Sequence, residues 1–104
     1  MNNLFSNIPD DRPDELRETL LDAESVRIER IVSHGHASPE GFWYDQDTNE
    51  FVLLLSGTAE LEFREPAERL SLGPGHWMII TAGRPHRVLS TSSKPDAVWL
   101  AVHF

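Results

Sequence analysis

Short apolar runs recur along most of this 104-residue chain, and nearly every one is closed by a glycine, a proline or a cluster of polar turn residues. The cleanest lies between Thr58 and Arg64, where Ala59, Leu61 and Phe63 alternate with Glu60, Glu62 and Arg64. A period of two sends alternate side chains to opposite faces, so this segment reads as a half-buried antiparallel strand with a wet outer face. Before it, Phe51 to Leu55 is almost continuously apolar and ends at a Ser56-Gly57 turn, the pattern of a buried strand. Earlier still, Val26, Ile28 and Val32 alternate with Arg27, Glu29 and Ile31 in a strand beginning near Ser25, and Gly35, Pro39 and Gly41 punctuate a loop from His34 to Phe42. Downstream, Glu65 to Glu68 is a turn around Pro66, and Leu70 and Leu72 anchor a short strand that Gly73-Pro74-Gly75 ends. Strands are expected over Trp77 to Ile80, His86 to Leu89 and Ala97 to Phe104. A Thr81 to Pro85 loop and a polar Thr91 to Asp96 segment, mobile by its composition, separate them. Many short strands at regular spacing predict an all-β fold, an antiparallel barrel or sandwich.

The first residues differ. Leu4 and Phe5 are isolated anchors in a polar start, and Asp10-Asp11-Arg12-Pro13 reads as a turn into a helix, because proline suits a first helical position. Asp14 and Glu15 would then complement the helix dipole, and Leu16, Leu20 and Ala23, with Leu21 beside them, recur at helical spacing. The expected organisation is an N-terminal arm and helix over residues 1–24 and a barrel domain over 25–104. Eight of the seventeen acids fall between Asp10 and Glu29, the composition of a solvated face rather than of a surface for a basic partner.

Composition narrows the function. A formal charge of −8 removes the clustered cations that phosphate backbones and anionic membranes require, so neither nucleic acid nor membrane is an expected partner. No run approaches the ~18 apolar residues of a membrane span. The start lacks the basic-then-apolar order of a signal segment. Zero cysteines exclude disulfides, thiolate metal sites and cysteine nucleophiles, and fit a cytoplasmic protein.

Two blocks carry the polar side chains best placed for chemistry. The first runs from Trp43 to Glu50 and the second from Gly75 to His86. If they meet, Glu50 and His86 share one pocket. Tyr44 adds a phenol and Asp45 and Gln46 add oxygen donors close to Glu50. A divalent cation held by Asp45, Gln46, Glu50 and His86 would have an oxygen-rich site, suited to Zn, Mn, Fe or Ni more than to soft ions. Without a cation, Glu50 and His86 form a general acid–base pair of the kind whose pKa values a barrel interior shifts, with Tyr44 as a further acid. Trp43, Trp77, Phe51 and Phe63 read as core packing. Arg84 and Arg87 flank His86 and read as solvated, and His76 as an exposed turn residue. His103 faces outward if Val98, Leu100 and Val102 face in, and the sequence leaves that parity open.

These residues resemble the cupin family of small antiparallel jelly-roll barrels. The family's second motif runs glycine, five residues, proline, one residue, glycine, two residues, histidine, three residues, asparagine. Gly75, Gly83 and His86 stand on its places, with Thr81 for the proline and Ser90 for the asparagine. The first motif ends in glutamate, six residues, glycine, which Glu50 and Gly57 match. Its histidine pair is missing, since the positions before Glu50 are held by Tyr44 and Gln46, or by Trp43 and Asp45 in the other spacing. A second register, with His34, His36 and Glu40, fits the start of the motif but finds Asp47 where the glycine belongs and no apolar strand directly after it. The resemblance implies a cupin barrel with one pocket, a homodimer, and a small-molecule ligand. Two functions stay open: a metal site that binds or converts a small polar molecule, and a non-catalytic binding or sensing module without metal.

Overall fold

The computed structural model describes residues 1–10 and 14–104. Eight strands follow one another: β1 Leu16–Asp22, β2 Arg27–Ser33, β3 Glu50–Ser56, β4 Ala59–Phe63, β5 Glu68–Leu72, β6 Trp77–Ile80, β7 His86–Thr91 and β8 Ala97–His103. They form a five-stranded sheet in the order β1-β2-β8-β3-β6 and a three-stranded sheet in the order β5-β4-β7, with every pairing antiparallel. The architecture is the expected all-β jelly roll.

The expected N-terminal helix is not formed: Leu16–Asp22 is a strand, and the turn assigned to Asp11, Arg12 and Pro13 lies outside the described residues. An isolated amphipathic helix this short is marginal in water. As an edge strand the same residues form a ladder with β2, with Glu18 opposite Arg30 and Thr19 opposite Glu29. Arg17 Nη1 then donates to Glu29 Oε1 at 3.0 Å, and Glu18 takes the buried Arg30 guanidinium. The backbone ladder with β2 and the contact of Glu18 with the buried Arg30 outweigh the helical spacing of the leucines, of which Leu20 and Leu21 stay about half exposed. The rest of the Arg30 fork donates to the Leu4 and Ser6 carbonyls at 3.0 and 2.6 Å, tying the N-terminal arm to β2.

The core lies between the sheets. Leu54 and Phe63, the latter 1% exposed, pack there with Ile31, Val52, Leu61 and Trp99. Small residues at Ala97 and Ala101 let β8 sit close beneath them. Gly57 makes the turn between β3 and β4 at φ +78°, where a Cβ would stand 2.5 Å from the Asp96 carbonyl oxygen. The turn therefore needs glycine for both its backbone conformation and its close approach to the β7–β8 connection. Two aromatic assignments divide: Phe63 is core, whereas Trp77 is 60% exposed and stacks on Phe51 with ring centroids 5.3 Å apart. Odd-numbered residues of β3 and β6, and even-numbered ones along β8, face outward, which leaves Trp77, Ile79 and Phe104 on an open apolar face of the five-stranded sheet. No helix among the described residues is long and apolar enough to cross a membrane.

Candidate functional site

Backbone hydrogen bonds bring the two polar blocks together. The Tyr44 amide donates to the His86 carbonyl at 2.7 Å and the His86 amide returns a bond to Tyr44 at 3.0 Å. Next to this bridge the Gly83 amide donates to the Gln46 carbonyl at 2.8 Å, and the Ala82 amide to Asn49 Oδ1 at 2.9 Å. The loop before β3 is thereby laid along the loop before β7. Extended chain alternates its side chains, so Tyr44, Gln46, Glu50 and His86 line one cavity while Asp45 is exposed on the other side. Asp45 is thus outside the ligand set expected for it. The rival pair also lies elsewhere: His34 bonds Asp96 at 2.6 Å, and His36 Nδ1 accepts from the His34 amide.

Glu50 and His86 sit at the buried end of the cavity, with Glu50 Oε1 3.7 Å from His86 Nε2. The ring is oriented from behind, because Nδ1 lies 3.0 Å from the Arg84 carbonyl. A carbonyl only accepts, so Nδ1 carries hydrogen and Nε2 points toward the carboxylate. Tyr44 stacks on the same ring with centroids 5.4 Å apart. Arg84 and Arg87 do not enter the cavity: Arg84 is tied to Glu68 and the Pro66 carbonyl, and Arg87 to the Ser38 carbonyl. His76 is the exposed turn residue expected, accepting from the Gly73 amide.

Behind Glu50 stands a second pair. His103 is 2% exposed, and its Nε2 lies 2.8 Å from Glu29 Oε1 and 3.8 Å from Glu50 Oε2. The register places His103 opposite both Arg27 and Glu50, so Arg17, Glu29, His103 and Glu50 form a row of alternating charge type across four adjacent strands. Burial pushes the Glu50 carboxyl above its usual range, and His103, His86 and Arg17 only partly reverse that. Glu29 is also penalised by burial, yet the hydrogen bond from His103 and the charge of Arg17 hold it below its usual range. Burial likewise raises the Tyr44 phenol. Neither Glu29 nor His103 stands out from motif spacing. The parity Ala97, Trp99, Ala101, His103, with its two small residues, is the signal that assigns His103 to the inner face.

The sequence profile of the cupin-domain family matches residues 30–103, and the chain belongs to that family. A solved protein of Ralstonia eutropha JMP134, provisionally named a mannose-6-phosphate isomerase, superposes with a TM-score of 0.93. It is 42% identical, with 99% of this chain and 95% of that one covered. A cupin superfamily protein of Desulfitobacterium hafniense DCB-2 gives a TM-score of 0.77 at 16% identity, over 93% of this chain and 83% of that one. The Fe(II) form of HppE, solved with its substrate, gives 0.70 at 18% identity over 86% of this chain and 53% of that one, a likeness of fold. Comparison with curated protein sequences gives no match.

The family implies a cation, and the donor set can be tested against one. Among the described residues no three His, Asp or Glu side chains are grouped to hold an ion. Two strong donors remain, Glu50 and His86. Their 3.7 Å separation is too long for a hydrogen bond and close to the roughly 3.4 Å spanned by two ligands of one tetrahedral ion. Gln46 also lines the cavity, and its Oε1 is buried without a hydrogen-bond partner among the described residues. A site of one imidazole, one carboxylate and one amide fits a cation that takes oxygen ligands and completes its shell with water or ligand.

Proposed function

We propose that this cupin binds a small polar molecule in the Glu50–His86 cavity together with a divalent cation held by Glu50, His86 and the Gln46 amide. One observation carries the reading: a carboxylate oxygen and an imidazole nitrogen 3.7 Å apart, too far for a hydrogen bond, line the same cavity as a buried amide oxygen that has no hydrogen-bond partner among the described residues. When bound, such a cation polarises a ligand oxygen as a Lewis acid. The chain's own groups then orient the ligand, and Tyr44, whose phenol burial keeps protonated, holds a proton beside it. The isomerase name carried by the 42% identical Ralstonia protein supports a proton-moving reaction on a small molecule. The absence of cysteine supports a cytoplasmic setting.

Elemental analysis of protein purified without tag or chelator tests this, beside Glu50→Ala and His86→Ala. Near-stoichiometric metal in the parent, lost by at least about tenfold in both variants with unchanged circular dichroism, is the expected result. A parent that stays empty after incubation with Mn, Fe(II), Ni and Zn would overturn it. The raised proton affinity of Glu50 beside His86 favours what would then remain, a metal-free acid–base or sensing pocket.

We also propose that a second copy of the chain covers the open face of the five-stranded sheet. Trp77, Ile79 and Phe104 are apolar and uncharged, so two molecules of charge −8 can meet there without burying like charges. Light scattering should give a dimer mass for the parent and a monomer mass for Trp77→Glu. A monomeric parent would reject the face as a self-contact.

A further inference from the structure

Resting on the cavity assigned above, we infer that its ligand is a neutral oxygen compound of about two to four carbons, a short-chain alcohol, diol or hydroxyketone, and not a sugar phosphate. The cavity measures ≈ 60 Å³. An apolar protein cavity of about 150 Å³ is filled by one benzene molecule, so this one takes only a few non-hydrogen atoms. Drug-sized ligands occupy about 300 Å³ or more.

Its walls divide by chemistry. Glu50 and His86 lie 3.7 Å apart in a lining that also holds Gln46, while Ile31, Val52, Leu61, Val88 and Trp99 supply its apolar part. A ligand matching both has an oxygen at one end and two or more carbons behind it. A fully hydroxylated sugar would bury several hydroxyls against those five side chains without partners, at a cost of about 1–3 kcal/mol each.

Charge points the same way. Arg17 is the one cation lining the cavity among the described residues, and its guanidinium is already engaged by Glu29 at 3.0 Å and Glu15 at 3.5 Å. A phosphate entering here would meet Glu15 and Glu50 without a free cationic side chain. An adjoining outer cavity of ≈ 290 Å³ shares Tyr44, Glu15 and Val88 with the inner one. Asp14 lines it too, so two carboxylates repel a phosphate there, against the single imidazole of His36 and the hydroxyl of Ser38. Tyr44 divides the two, held by its double backbone bridge to His86 and its stacking on that ring.

Isotope-labelled protein, zinc-free and zinc-loaded, titrated in parallel with propane-1,2-diol and mannose 6-phosphate tests the inference by amide chemical shifts. The diol is expected to move the Val52, Leu61 and Val88 amides saturably, and the sugar phosphate to leave them in place. Val88→Phe, which fills the cavity, should abolish the response. Val88→Ala, which widens it at a half-buried position, should shift preference toward butane-1,2-diol by about tenfold, the scale of one methylene in an apolar pocket. Mannose 6-phosphate moving these amides at lower concentration than the diol would overturn the inference, as would a diol that moves none of them. A diol response identical with and without zinc would instead count against the cation alone, so the two readings fail separately.

Discussion

Replacing Glu29 with alanine should lower the unfolding free energy by about 3 kcal/mol, at the lower end of what breaking a buried ion pair costs. The carboxylate is nearly sealed from solvent and receives His103 Nε2 at 2.8 Å and Arg17 Nη1 at 3.0 Å. Arg17 and Arg27 are exposed enough for water to take over their share, so their pairings contribute little. His103 has no such escape. Its Nδ1 already lacks a partner, and without Glu29 the whole ring would be buried with only the distant Glu50 oxygen nearby. For a domain this size the loss corresponds to a fall in Tm of roughly 15 °C. Urea unfolding with an unchanged m value checks it, and Glu29→Gln, which keeps an acceptor at Oε1, should lose about half as much. A loss below about 1 kcal/mol for the alanine variant would mean that His103 finds another partner.

The same row of residues shows where sequence reading stops. Phe51 to Leu55 and Thr58 to Arg64 declared their strands because alternation and apolar runs are local properties, and β3 and β4 fall on them. Glu50 and His86 were legible as a pair because each stands at a fixed distance from a glycine that the backbone requires, Gly57 and Gly83, both at positive φ. Choosing between Asp45 and Gln46 needed only the parity of an extended chain, once Tyr44 was known to bridge His86. Glu29 and His103 were different. Their partnership exists only because β2 pairs with β8, a contact that joins residues 74 apart in sequence. Both faces of β8 are rich in apolar residues, so hydrophobicity alone did not decide which one faced the core. The N-terminal strand was missed for a related reason. Leu16, Leu20 and Ala23 describe a helix locally, and only the register against β2 shows that the segment gains a backbone ladder and brings Glu18 to the buried Arg30.

Glu29 and Glu50 should also give the metal-free protein a stability that rises and then falls with pH. Glu29 binds its proton less tightly in the folded state than unfolded. Its contribution is therefore full above the usual carboxylate value of about 4.5 and disappears as pH drops through the lowered folded value. Glu50 has the opposite sign. Folding raises its proton affinity, so between about 4.5 and its raised value the folded chain holds a proton that the unfolded chain has released. Stability falls as pH rises through that window and levels off above it, by about 1.4 kcal/mol for each tenfold difference in proton affinity. Glu50→Gln cannot ionise, so the parent-minus-variant difference in unfolding free energy should become steadily less favourable to the parent from about pH 4.5 upward. Titrating groups remote from Glu50 cancel in that difference, whereas His86 and His103, at 3.7 and 3.8 Å from its carboxylate, share in it. A flat difference would show that Glu50 is as well solvated folded as unfolded. Adding zinc to the parent should reverse the slope, because a cation binds the carboxylate only in its deprotonated form. The same series of unfolding curves then reports the buried proton and the cation that would displace it.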